Sequence, residues 1–137
     1  MRDELEQQLV EDYPEIFELL TIEPEELDDS QPVPTIMISG IAVNDGWYDL
    51  IDTLCDRLDS LNVDCTAVQV KEKFGGLRFY VDGIEHEDER RAYQASGAIT
   101  FAQEMSRNIC EDCGDRGEMR RGGWIRTLCD DCHNERD

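Results

Sequence analysis

Apolar residues recur every three or four positions at Leu5, Leu9, Tyr13, Ile16, Phe17 and Leu20, with acids between them. That spacing predicts an amphipathic helix from residue 2 to about 20, interrupted near Tyr13-Pro14, where proline has no N–H to donate. Pro14 is a candidate start for a second short helix. Residues 23–34 are acidic and turn-rich, and Pro32 and Pro34 exclude helix, so a linker or surface loop is expected there. Residues 35–43 are β-branched and apolar enough for a strand, with Gly40 marking a bulge or close approach, and Asn44-Asp45-Gly46 then turns the chain.

Trp47, Leu50, Ile51, Leu54, Leu58 and Leu61 fall on one helical stripe, which predicts a helix over 47–61 covering a sheet. Residues 66–81 alternate on both sides of Gly75-Gly76, the mark of a hairpin in which Val68 and Val70 face Leu77, Phe79 or Val81. A long helix is expected from Glu85 to about Arg107, with Tyr93, Ala98, Ile99, Phe101, Ala102 and Met105 as a broad apolar face. Residues 119–128 suit a small hairpin around a glycine turn, and 130–137 allow a turn or two of helix. The fold class is therefore α+β: a small antiparallel sheet backed by helices over 1–108, with a C-terminal module over 109–137 docked on it.

Chemistry concentrates in that module. Cys110-Glu-Asp-Cys113, fifteen residues from Gly114 to Leu128, and Cys129-Asp-Asp-Cys132 have the spacing of one tetrahedral four-thiolate zinc site. Each Cys-x-x-Cys turn places two sulfurs on one side, and Gly114 supports the first turn because glycine tolerates positive φ. Two redox pairs or two disulfides are the alternative. Four sulfurs close the shell, so the expected metal, Zn2+, is structural, with no position left for an activated water. A knuckle, a hairpin and a knuckle at a helix start make a treble clef; two knuckles on hairpins make a zinc ribbon, and the spacing fits both. Cys55 and Cys65 lie in apolar segments and read as buried thiols.

Charge changes the picture of partners. The chain has 137 residues, with 33 acidic against 13 basic and a formal net charge of −20. Residues 1–64 hold 18 acids against Arg2 and Arg57, hence −16, while 65–106 and 107–137 come to −2 each. Such a field repels nucleic acid from the N-terminal half. Lysine occurs only as Lys71 and Lys73, and an acid-rich, lysine-poor surface suits a halophilic host, where salt screens self-repulsion. Mimicry of nucleic acid against host defence is the sharper alternative. No stretch approaches the ~18 apolar residues of a membrane span, and the N-terminus lacks a secretory pattern, so a cytoplasmic place in the host cell, or association with a virion, is expected.

Two patches are candidate contact surfaces. Lys71, Lys73, Phe74, Arg78 and Tyr80 join positive charge to aromatics, a combination that holds single strands; the competing reading buries Phe74 and Tyr80. Arg116, Arg120, Arg121 and Arg126 surround Trp124 in the module.

Tyr13-Pro-Glu-Ile-Phe17, Gly46-Trp-Tyr-Asp-Leu-Ile-Asp-Thr-Leu-Cys55, Val70-Lys-Glu-Lys-Phe-Gly-Gly-Leu-Arg-Phe-Tyr80, Cys110-x-x-Cys-Gly and Gly123-Trp-Ile-Arg-Thr-Leu-Cys-x-x-Cys132 occur in that order. Together they resemble a family of small proteins of tailed phages and bacteria. The resemblance implies a shared fold, a viral or prophage setting, and Cys110, Cys113, Cys129 and Cys132 as metal ligands; it carries no activity. The acidity of residues 1–64 departs from that family and points to a halophilic host. Leu128-Cys-Asp-Asp-Cys-His133 also resembles the last knuckle of HNH nucleases, but residues 114–128 hold no histidine to activate water, and His86 and His133 are the only two in the chain. The expected function is a non-enzymatic zinc-binding interaction protein engaging a protein partner. The alternatives are a nucleic-acid-binding or transcription-related protein using the zinc face, and a virion component or acidic mimic.

Overall fold

The computed structural model describes residues 1–21, 37 and 40–136. Helix α1 (Asp3–Asp12) stops at Tyr13-Pro14, and the chain turns through a short 3-10 segment, Glu18–Leu20. A further 3-10 turn, Asp45–Trp47, leads into α2 (Tyr48–Ser60). Strands β1 (Thr66–Lys73) and β2 (Gly76–Asp82) form an antiparallel hairpin, followed by α3 (Glu89–Met105). The C-terminal part has strands β3 (Glu118–Arg120) and β4 (Arg126–Leu128), then α4 (Asp130–Glu135). This is the α+β architecture expected. The predicted linker over 23–34 lies outside the described residues, as do 35, 36, 38 and 39 of the predicted strand over 35–43; residues 40–43 are not strand, because Gly40 turns the chain at φ 72° and only Ala42 makes an isolated parallel bridge, to Lys71. No helix of the described residues is long and apolar enough to cross a membrane.

One core joins the elements that precede the C-terminal part. Leu9, Phe17, Trp47, Ile51, Leu58, Val70, Phe79 and Ile99 are buried together between α1, α2, α3 and the inner face of the hairpin. The Tyr13 hydroxyl donates to Asp52, which fastens the end of α1 to α2. Across the hairpin Val70 faces Phe79, but a bulge between Ala67 and Gln69 puts Ala67, not Val68, opposite Val81. A bulge adds one unpaired residue and flips the alternation beyond it, so simple period-two counting misplaces Val68. Cys55 and Cys65 are free buried thiols, and burial pushes Cys65 up to about 11.

Helix α3 is shorter than its pattern suggests, and only part of its expected apolar face, Ala98, Ile99 and Ala102, points into the core. Asp88 caps it by accepting from Arg91 N–H, so the helix starts at Glu89 and not at Glu85. The buried positions are Ala95, Ile99 and Ala102, with half-buried Ala98 beside them. Tyr93 and Phe101, expected on the apolar face, are 70% and 65% exposed, and Met105 is exposed as well. Small residues let the helix lie close against β2, where large rings would not fit.

That closeness closes the sheet edge. Leu77 N–H donates to Ser106 Oγ (2.8 Å) and Phe79 N–H to Gln103 Oε1 (3.0 Å). On the other edge Ala42 N–H donates to Val70 O, Glu72 N–H to Ala42 O, and Ala67 N–H to Ile16 O. A two-stranded sheet would otherwise present unpaired groups to other chains. Ser106→Ala leaves the buried Leu77 N–H without a partner, and such an orphan costs about 1–3 kcal/mol. Chemical denaturation should therefore show a loss of about 2 kcal/mol for this variant; an unchanged midpoint would remove Ser106 from the account.

Candidate metal centre and the cleft beside it

The four cysteines reach one point because two local structures aim them there. In the first knuckle Gly114 takes φ 87°, and its N–H donates to Cys110 O (2.9 Å), so the chain reverses right after Cys113. In the second, Cys129 leaves β4 in an extended conformation and caps α4, its Sγ accepting from Cys132 N–H (3.4 Å). Cys132 therefore sits in the first turn of a helix, and knuckle, hairpin, knuckle at a helix start is the treble-clef order, not that of a ribbon.

All four Sγ atoms lie within 4.8 Å of one another, and Cys113 Sγ is 3.6 Å from Cys129 Sγ. A tetrahedral ion with metal–sulfur bonds of ~2.3 Å needs sulfurs about 3.8 Å apart, so the donors fit a single thiolate-bound ion. His133 is not in the cluster. The surroundings act on the thiols in opposite directions. Burial raises the Cys110 thiol, but N–H groups of Cys129, Cys113 and Asp112 outweigh it and hold the group below the ordinary thiol value. The Asp115 N–H lowers Cys113, yet burial and hydrogen bonds to Cys129 and Cys110 together push it up to about 11. Cys132 is raised too, chiefly by its hydrogen bond to Cys129. Four thiolates in this space repel one another unless a cation shares their charge, which is what a thiophilic divalent ion supplies.

The module is bonded to the body at several places. Gly46 N–H donates to Glu111 O (2.7 Å), and Trp47 Nε1–H to Ile109 O (2.8 Å). Asn44 donates its N–H to Glu111 Oε2 and its side-chain amide to Asp112 Oδ1. Asp112 in turn is held by Arg136 from the end of α4. At the hairpin tip, the buried Thr127 hydroxyl donates to Gly75 O (2.6 Å). Glu111 is the one buried acid among the described residues: burial raises its carboxyl, Asn44 N–H opposes that, and Arg126 Nη1 lies 3.7 Å from Oε1. Nothing in the pattern of the chain singles out Glu111 beyond its place between two ligands.

Contacts between hairpin and module bring the two basic-aromatic patches to one cleft of about 510 Å³, lined by Lys71, Lys73, Phe74, Trp124 and Ile125 among others. The β1–β2 turn is not at Gly75-Gly76, because Lys73 pairs with Gly76 and leaves Phe74-Gly75 as a two-residue loop. Both loop residues have positive φ, 54° and 82°, the twist of a type I′ turn, where Asn and Gly are favoured and Phe is not. Phe74 is nonetheless 62% exposed, and Trp124 70%. Each ring has a cation beside it: Lys73 Nζ lies 5.6 Å from the Phe74 centroid, and the Arg126 guanidinium 5.3 Å from that of Trp124. The other candidates lie elsewhere. Arg78 donates to the exposed Tyr80 hydroxyl on the outer hairpin face, and Arg120 is tied to Leu128 O and Asp130 at the start of α4. Arg116 and Arg121 are exposed.

Fold and donor set thus define a treble-clef-type module, joined to a small α+β body, whose four clustered cysteines could hold one metal ion. Compared with known protein families, curated proteins and solved structures, the chain matches none.

Proposed function

We propose that the protein is a non-enzymatic binding protein, its C-terminal module held by one structural zinc ion through Cys110, Cys113, Cys129 and Cys132, and its working surface the cleft between Phe74 and Trp124. The observation that carries the reading is Phe74. A bulky aromatic in left-handed backbone conformation costs on the order of 1 kcal/mol, and exposure of the ring returns nothing to the fold. Strain of this kind is retained where a ligand needs the side chain. Opposite it, Trp124 stands on a loop whose glycines, Gly122 and Gly123, both take positive φ.

The occupant is a partner protein that inserts an apolar side chain, with an acidic neighbour for Lys71 and Lys73. Aromatic rings with cationic edges are the usual anchors of such contacts, and the net charge of −20 works against a polyanion. Support for a non-enzymatic role comes from the donor set: four sulfurs close the shell of the ion, so it contributes folding energy and no reactive water. The viral or prophage setting belongs to the proposal through the family resemblance. A second reading, single-stranded nucleic acid stacked on the two rings, is favoured by the cation beside each of them.

Selection from a random peptide library on the zinc-loaded protein tests this. The expected peptides share an aromatic or aliphatic residue next to Asp or Glu, and Trp124→Ala weakens them at least about tenfold, the effect of losing ~1.4 kcal/mol or more. Phe74→Asn should weaken binding similarly while raising stability by about 0.5–1 kcal/mol, since Asn suits the turn. No enrichment, with tight binding of random single-stranded oligonucleotides at the host's salt, would replace this reading with the second. Peptides that bind both variants unchanged would place the surface elsewhere.

A further inference from the structure

The outer face of α3 has no role in the fold or in the cleft. Residues of an α-helix follow one another at about 100°, which puts Arg90, Tyr93, Gly97, Phe101 and Glu104 within an arc of about 80°. The arc points directly away from the buried line of Ala95, Ile99 and Ala102. All five are exposed, and a side chain added at Gly97 would meet nothing within 4 Å.

The order of these residues is the same read from either end. Gly97 is the centre; Tyr93 and Phe101 are each four residues from it, and Arg90 and Glu104 each seven. A second α3 laid antiparallel across Gly97 therefore sets each Tyr93 against the other copy's Phe101, and each Arg90 against the other copy's Glu104. A self-complementary patch of this kind is what a two-fold interface requires. We propose that this face binds a second copy of the chain, forming an antiparallel α3 pair centred on Gly97.

Two further observations support that occupant over another partner. In a chain of net charge −20, α3 is neutral, with Glu89 and Glu104 against Arg90 and Arg91, so two copies of this face do not repel. The stripe's charges also oppose their own helix. Arg90 sits in the first turn, where a cation is disfavoured, and Glu104 in the last turn, where an anion is. Neither forms an ion pair with the described residues, whereas Arg91 is held by Glu87 and Asp88. In the antiparallel pair each arginine lies beside the partner helix's C-terminal end and its Glu104, and the conflict is relieved. Gly97 is costly in a helix interior, but without a side chain it lets the two axes approach at the short end of the 8–10 Å range. Four aromatic side chains and their neighbours bury about 1,000 Å² in total, the lower end for a specific interface, so the dimer is weak and forms with rising concentration.

Sedimentation velocity over a concentration series, on zinc-loaded full chain at 0.15 M-scale ionic strength (about 8 Å screening length), tests the proposal. Wild type should pass from monomer to dimer. Arg90→Glu and Glu104→Arg should each weaken self-association about tenfold or more, since each sets like charges together twice. Both substitutions suit the helix dipole, and circular dichroism should show α3 intact. Mixed in equal amounts, the two variants should restore the dimer: the copy carrying Arg90→Glu then offers two acids, at positions 90 and 104, to two arginines on the copy carrying Glu104→Arg. Gly97→Gln should abolish the dimer while raising thermal stability of the monomer. A wild type that stays monomeric at every concentration, a dimer indifferent to these changes, or a mixture that does not associate would each overturn it.

Discussion

Stripping the metal with a chelator should unfold residues 109–136 and expose Trp47. Structural zinc contributes on the order of 10 kcal/mol to modules of this kind, comparable with the entire stability of about 5–15 kcal/mol of an ordinary domain. Little else holds this one. Its own buried cluster consists of Cys110, Leu128 and Cys129, with Cys132 packed against it, and all of these but Leu128 are metal-site cysteines. β3 and β4 pair over only three residues each, and α4 has six, below the length at which an isolated helix is stable. Loss of the module breaks the bond from Trp47 Nε1–H to Ile109 O. Since Trp124 is exposed in the folded protein, a red shift in tryptophan emission reports on Trp47. Cys113→Ala should reproduce the effect. Retained emission, with an unchanged melting curve in chelator, would mean that the module folds without its ion.

Gly46→Ala should weaken the same module with every thiol in place. A Cβ there would lie 2.5 Å from Glu111 O and closer still to Cys110 O. Both are backbone atoms of the first knuckle, fixed by the thiols on one side and by the bond from Gly46 N–H on the other, so neither can yield as a flexible side chain would. Losses above about 4 kcal/mol are rare for single substitutions, and overpacking against a rigid contact is among their causes. The expected result is a drop of about 4 kcal/mol, weaker metal binding, and faster amide exchange in residues 109–129 than in α2 and α3. Exchange raised equally throughout would indicate that body and module unfold as one unit, and unaltered stability would contradict the close contact.

How much is legible in the sequence depends on whether the signal is local. Cys110, Cys113, Cys129 and Cys132 carry their geometry in their spacing, and α2 announces itself by Ile51, Leu54 and Leu58 on one stripe. Helix α3 misleads because its aromatic rings face outward. Ile99 and Ala102 of the expected face do pack inward, joined by Ala95, while Gln103 and Ser106 come within hydrogen-bonding reach of the β2 backbone. The bulge at Val68 and the loop at Phe74-Gly75 are register effects, settled by pairing across strands and not by local preference. Glu111, Asn44 and Gly46 matter because residues more than sixty positions apart in sequence meet at one turn, and nothing in a local pattern records that meeting. The cleft is of the same kind: Phe74 and Trp124 belong to separate patches of the chain and meet only because the module seats against the hairpin tip.

The central claim is that one zinc ion sits in a closed shell of four cysteine sulfurs and serves the fold. X-ray absorption at the zinc edge, on protein whose metal content has been measured, tests it most directly. The account predicts one zinc per chain with four sulfur neighbours at about 2.3 Å and no lighter atom in the shell. A nitrogen or oxygen neighbour at about 2.0–2.1 Å, from His133 or from water, would show an open or mixed shell and contradict it.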